Sequence, residues 1–174
     1  MEFDFYKARK NKTINELKSK LFDEMEDALF VLTISPQNDC ALPFVTDSAY
    51  RMFEILSDEL VTNTMFSVYD RVHKEDRNSV RKSLIDSLKK GKKWNSVFRV
   101  QLPMKGLCWF KVSSKKETNS DGTLVLYGRI ADVTELKTLE TKLKISEERF
   151  KFALETSTSG VWNWDIKENT VFYS

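Results

Sequence analysis

Few side chains in this sequence have the type and spacing that chemistry needs. There is one histidine, His73, in "HKEDR", and there are two cysteines, Cys40 and Cys108, far apart and in no C-x-x-C spacing. A protein metal site takes several such ligands close together, so no metal is expected. No nucleophile–base pair and no glycine-rich phosphate loop is visible. The signatures of common hydrolases, kinases and nucleotide binders are missing, and the chain reads as non-catalytic. The acidic and mixed runs "DEMED" and "SEER" read as solvated surface, and the two cysteines as reduced thiols. A polar pair of another kind remains. Asp132 and Thr134 stand two apart in "GRIADVTELKTLE", where an apolar, β-branched run meets a charged helical pattern with no loop between. Thr134 is a good N-cap, and an Asp beside it can accept hydrogen bonds from backbone or hydroxyl. Such a pair pins the direction of a helix to the end of a strand.

The elements that would position these groups follow from composition and period. The chain has 174 residues, 41% hydrophobic and 31% charged, ordinary for one globular domain with some chain to spare. Its 28 basic and 26 acidic residues nearly balance, which excludes a strong electrostatic case for nucleic acid or an anionic membrane as partner. The longest apolar run, Ala28 to Ile34, is far short of the roughly 20 residues of a membrane helix. The N-terminus "MEFDFYKARKNK" has no apolar signal core. A cytoplasmic location with no membrane contact is expected.

Along the chain, Ile14, Leu17, Leu21 and Met25 lie at helical spacing, with Thr13 and Glu16 as a capping box. "ALFVLTI" and "LPFVT" read as a hairpin around the turn "SPQNDC". Residues 47–60 and 62–76 read as short helical pieces. Residues 76–90 are the clearest helix, with Asp76 as N-cap and Gly91 at its stop. Three strands follow, Lys93–Leu102, Leu107–Glu117 and Thr123–Val133. In the middle one Cys108, Phe110 and Val112 alternate with Trp109, Lys111 and Ser113, so one face should meet a core. Strands that come in runs predict an α+β fold, with an antiparallel sheet and helices on one face. From Thr134 a helical pattern returns, and Leu136, Leu139, Leu143 and Phe150 fall near heptad a/d positions; coiled coil and lone amphipathic connector both fit. Met25–Ile34 is echoed by Ser157–Ile166, a repeat near the start of each of two units.

Three stretches carry a family resemblance: "HKEDRNSVRKSL" from His73, "CWFKVSSKKETNSDGTLV", and "GRIADVTELKTLE". Together with the strand order and the repeat they resemble PAS sensor domains of the bacterial tandem kind, with the PAC-type C-terminal motif. The hairpin "TISPQNDCALPFVTD" departs from the family by lacking its acidic residue and short glycine turn. The resemblance implies a PAS fold, a five-stranded antiparallel sheet with short helices on one face and linker helices at both ends. It implies an N-terminal flanking helix at 1–20, a PAS domain at 21–134, a connector helix at 135–148 and the start of a second PAS domain at 149–174. It also implies a ligand cavity between sheet and helices, with Phe30, Leu32, Tyr50, Phe53, Phe66, Leu84, Phe98, Val100, Phe110, Gly128 and Ile130 as candidates; simple core filling is the alternative. Neither cysteine sits in the flavin branch's Asn-Cys-Arg motif, and His73 precedes the helix on which the haem branch places its ligand, so the cofactor is left unknown. By resemblance the chain is a sensory and relay module, with Asp132 and Thr134 as the relay. The protein carrying it would be a sensor histidine kinase of a two-component system. A diguanylate cyclase or phosphodiesterase, or a ligand-free dimerisation or docking domain, are the alternatives. Expected partners are downstream PAS or output domains, a small-molecule ligand, and a second copy met through Ile14, Leu17, Leu21 and Phe22.

Overall fold

The computed structural model describes residues 17, 21, 22, 24–55, 68–156 and 162–173. It divides into two units, Met1–Thr134 and Glu135–Ser174. In the first, β1 (Ala28–Ile34) and β2 (Cys40–Val45) form a hairpin, followed by α1 (Asp47–Phe53). A helical turn at 68–71 precedes α2 (Arg77–Lys90), and then come β3 (Trp94–Leu102), β4 (Gly106–Thr118) and β5 (Leu124–Asp132). The strands join in the order β2-β1-β5-β4-β3, antiparallel throughout. The expected α+β sheet is therefore present.

The period-two pattern does what it predicts. Ala28, Phe30, Leu32 and Ile34 are buried on β1, and Cys108, Phe110, Val112 and Ser114 on β4, while their sequence neighbours lie outward. α1 packs on β1 and α2 on β3. Phe53 meets Phe110 edge to face, with ring centroids 5.1 Å apart. Six side chains, Phe53, Phe110, Leu102, Leu126, Val100 and Val112, are sealed from solvent at the centre of this core.

Sequence boundaries shift in informative ways. β2 begins at Cys40 rather than Leu42, and its register with β1 slips by one residue between Val31 and Thr33. Pro43 lies in this slipped stretch of an edge strand, where a missing N–H costs least. Thr46, expected to end the strand, instead turns its hydroxyl to the Leu29 N–H at 2.9 Å. Gly91 stops α2 in the left-handed region, as expected. Asp76 stands at the N-cap of α2, but its side chain makes no capping bond. The helix predicted after Ser57, together with Thr13, Ile14, Glu16 and Phe66, lies outside the described residues.

The second unit consists of α3 (Thr134–Thr156), from Glu135 on, and a hairpin of β6 (Trp162–Asp165) with β7 (Thr170–Tyr173). α3 runs past residue 148 for two further turns. It buries none of its side chains, and Leu136, Leu139, Leu143 and Phe150 are each more than half exposed. Ion pairs such as Lys144–Glu148 and Lys151–Glu155 run along it at helical spacing.

Candidate functional site

Asp132 and Thr134, the polar pair two residues apart, meet at the joint between β5 and α3. Asp132 Oδ1 accepts hydrogen bonds from the Thr134 N–H, at 2.9 Å, and from the Thr134 hydroxyl. The Thr134 oxygen in turn accepts from the Trp109 N–H at 2.9 Å, and the Val133 N–H donates to the Trp109 carbonyl at 2.8 Å. The capping role thus falls to Asp132 rather than Thr134, as in an Asx turn. Thr134 carries the tie to β4. The first residue of α3 is bonded both to the end of β5 and across to the first part of β4. Cys108, next to Trp109, is buried beside this joint; burial pushes its thiol pKa up, and the Asp132 charge adds to that, while a hydrogen bond with Thr134 works the other way.

A second polar centre was invisible in the sequence. Arg99, on β3, donates to Asp76 three times, from its backbone N–H (2.8 Å), Nε (3.0 Å) and Nη2 (2.6 Å), and Nη2 also reaches Glu75 at 2.9 Å. The His73 N–H donates to the Arg99 carbonyl at 2.9 Å. Arg77 donates to the carbonyls of Val72 and Asp70 and lies over the Tyr69 ring. "HKEDR" is therefore a clip that fastens the start of α2 to β3. The Arg99 side-chain bonds hold the Asp76 carboxyl below its ordinary range. Glu54 makes a similar fastening: its carboxylate accepts the Met104 and Lys105 N–H groups of the β3–β4 turn, at 2.6 and 3.1 Å. Neither Arg99 nor Glu54 has a local motif; the partners are 23 and about 50 residues away in sequence.

The described cavity candidates, all but Phe66, are gathered in one place. Phe30, Leu32, Phe53, Phe98, Val100 and Phe110 are buried in a single cluster, and Tyr50, Leu84 and Ile130 pack against it. Gly128 lies under the Phe30 ring. Of the flanking-helix residues, Leu17 and Leu21 are exposed, whereas Phe22 is spent on its own domain, edge to face with Phe44 at 6.0 Å. Asp132 also lines an outer groove with Glu24 and Glu26, from the lead-in segment, and with Arg51 and Lys105. Among the described residues no cluster of His, Cys, Asp or Glu could hold a metal ion. No described helix is long and apolar enough to cross a membrane.

The family model described as the PAS fold matches residues 42–129, half of the chain. The chain belongs to the PAS family. It therefore carries a sensor domain of the kind used in signalling proteins. Solved PAS-like structures agree in fold. The chain is similar to a sensory box histidine kinase/response regulator from Burkholderia thailandensis, at 21% identity and TM-score 0.51, over 71% of this chain and 90% of that one. It is also similar to a domain of a histidine kinase described as light and redox sensing, from Haloarcula marismortui, at 19% identity and TM-score 0.53, over 71% and 99%. An RNA-binding light-oxygen-voltage receptor aligns at 14% identity and TM-score 0.57, over 77% of this chain and 37% of that one. At these identities the likeness is one of fold alone. No curated protein matches the chain in sequence.

Proposed function

We propose that this chain is a non-catalytic sensory and signal-relay module of a multidomain, cytoplasmic signalling protein, with the histidine kinase of a two-component system as its output. The observation that carries the reading is the double tie of Thr134, to Asp132 and to Trp109, at the first residue of a 23-residue helix. A small movement of β4 against β5, caused by a ligand or a partner, reaches the start of α3 through two hydrogen bonds. A helix start held this way is an element with discrete arrangements for a signal to bias. The groove shared by Asp132 with Glu24 and Glu26 supports the same reading, because it sets the lead-in segment beside the exit joint. In this scheme residues 135–148 connect to a second PAS domain that starts at 149. A phospho-accepting histidine helix further along the protein would support the kinase output, and a cyclase motif would replace it.

The test is Asp132→Ala in the full-length protein. Output should change while the isolated chain keeps its fold. Unchanged output from the folded variant would refute the relay. A second reading, a ligand-free dimerisation or docking domain, draws on the exposed Leu17 and Leu21. Native mass spectrometry separates the two: extra mass on the folded form supports sensing, and a bare dimer supports docking.

A further inference from the structure

One row crosses the inner face of the whole sheet. Val45 on β2 pairs with Phe30 on β1, Phe30 with Gly128 on β5, Gly128 with Ser114 on β4, and Ser114 with Trp94 on β3. Two aromatic residues thus flank two of the smallest. The strands of Phe30 and Trp94 are three spacings apart, roughly 14 Å. Trp94 is held by a hydrogen bond from Nε1 to the Ser83 hydroxyl on α2, at 2.9 Å.

Two features of this row weaken the fold without structural return. The first is Gly128. A glycine inside a strand loses packing and costs conformational entropy. Here it admits the Phe30 ring: even the third-nearest ring atom, Cε2, would stand 2.6 Å from a Cβ at this position. The second is Ser114. It is 6% exposed, and its hydroxyl has no hydrogen-bond partner among the described residues. Among the described residues the other buried hydroxyls are satisfied. Thr46 and Ser48 bond each other, Ser48 also reaches the Asp27 carbonyl, and Ser87 the Leu84 carbonyl. A buried hydroxyl left unpaired in a strand interior calls for a reason beyond packing; the other unpaired buried side-chain atom among the described residues, His73 Nδ1, lies 3.9 Å from the Glu75 carboxylate.

We propose that Phe30, Gly128, Ser114 and Trp94 form a binding slot for a small planar aromatic molecule bearing one hydrogen-bonding group. The Phe30 ring is the slot's displaceable plug, lying over Gly128 where the ligand ring would lie. Ser114 is the polar partner that the ligand satisfies, and Trp94 is the fixed far wall. This rests on the reading that the inner face of the sheet houses a small molecule.

The experiment titrates two probes of the same shape, phenol and toluene, into the whole chain, followed by calorimetry and by NMR shifts. Phe30→Leu vacates part of the slot and should bind both probes more tightly than wild type. It should prefer phenol by roughly fivefold to tenfold, the effect of one buried hydrogen bond. Adding Ser114→Ala should abolish or reverse that preference, because phenol then buries its hydroxyl unpaired. Absence of saturable binding, or a preference that survives Ser114→Ala, overturns the slot. Should Phe30→Leu fail to fold, wild type and Ser114→Ala are compared at higher probe concentration by the same criterion. An extra native mass together with a Ser114-independent preference would sink the slot and leave the sensing reading standing, while Asp132→Ala tests the relay separately.

Discussion

Thr134→Val removes one hydroxyl and keeps the branched shape, so it isolates the tie between α3 and β4. In the native chain that oxygen accepts the part-buried Trp109 N–H at 2.9 Å and donates to Asp132. A buried donor left without its acceptor costs about 1–3 kcal/mol; partial exposure of this one places the loss at the lower end, about 1–1.5 kcal/mol. Asp132→Ala removes an exposed capping acceptor, typically worth about 1 kcal/mol. Both variants break the same Asp132–Thr134 bond. The double variant should therefore lose less than the sum, with a coupling of about 0.5 kcal/mol or more. Urea denaturation at constant m-value measures all four corners of the cycle. Each single variant should also lower Tm by about 2–6 °C. Hydrogen exchange at the Trp109 amide reads the tie directly, and Thr134→Val should speed it. Additive losses, or an unchanged Trp109 exchange rate, would refute the account of the joint.

The clip at Asp76 predicts acid sensitivity. Its folded pKa lies below the ordinary 3.8 because Arg99 bonds its charged form. Its contribution is then present at neutral pH, above the unfolded value, and is lost as pH falls through the folded value. Asp76→Asn should be less stable than wild type at pH 7, and the gap should close on titration below pH 4; a gap that stays constant would contradict this. Gly128→Ala should destabilise by about 1–3 kcal/mol through overpacking against Phe30, and Phe30→Leu should relieve part of that loss in the double variant. Full additivity of the two changes would remove the close approach as the cause. The chain is expected to be a homodimer in solution, weakened by Leu21→Asp; a monomer mass independent of concentration in light scattering would dismiss that.

Much of the fold was legible because its signals are local. The strand Ala28–Ile34 falls where its β-branched run predicts, and α2 ends at Gly91 because an αL stop needs no distant partner. Alternation on β4 correctly named its inner face. Asp132 and Thr134 were legible as a pair because they are two residues apart. Their division of labour was not: the acceptor for the Trp109 amide is chosen by where β4 lies beside β5. The same is true of Asp76. Its position before a helix predicts a cap, but the Arg99 guanidinium offers charge-assisted bonds that outweigh a capping bond. The cavity candidates on the strands share a face by alternation alone, yet which of them cover one another is set across strands.

The sequence by itself determined the class of this protein: the order of its strands and helices, the face each strand buries, and the spot where sheet passes into helix. Periods of two and of 3.6, and the caps and turns between them, depend on neighbours within a few residues. The tertiary structure decided what registers the strands against one another: the reach of Trp109 to Thr134, the grip of Asp76 on Arg99, and the row that sets Phe30 over Gly128 beside an unpaired Ser114. Register is a property of two segments at once. A shift of one residue would turn each of these side chains to the other face, so no local pattern could announce them.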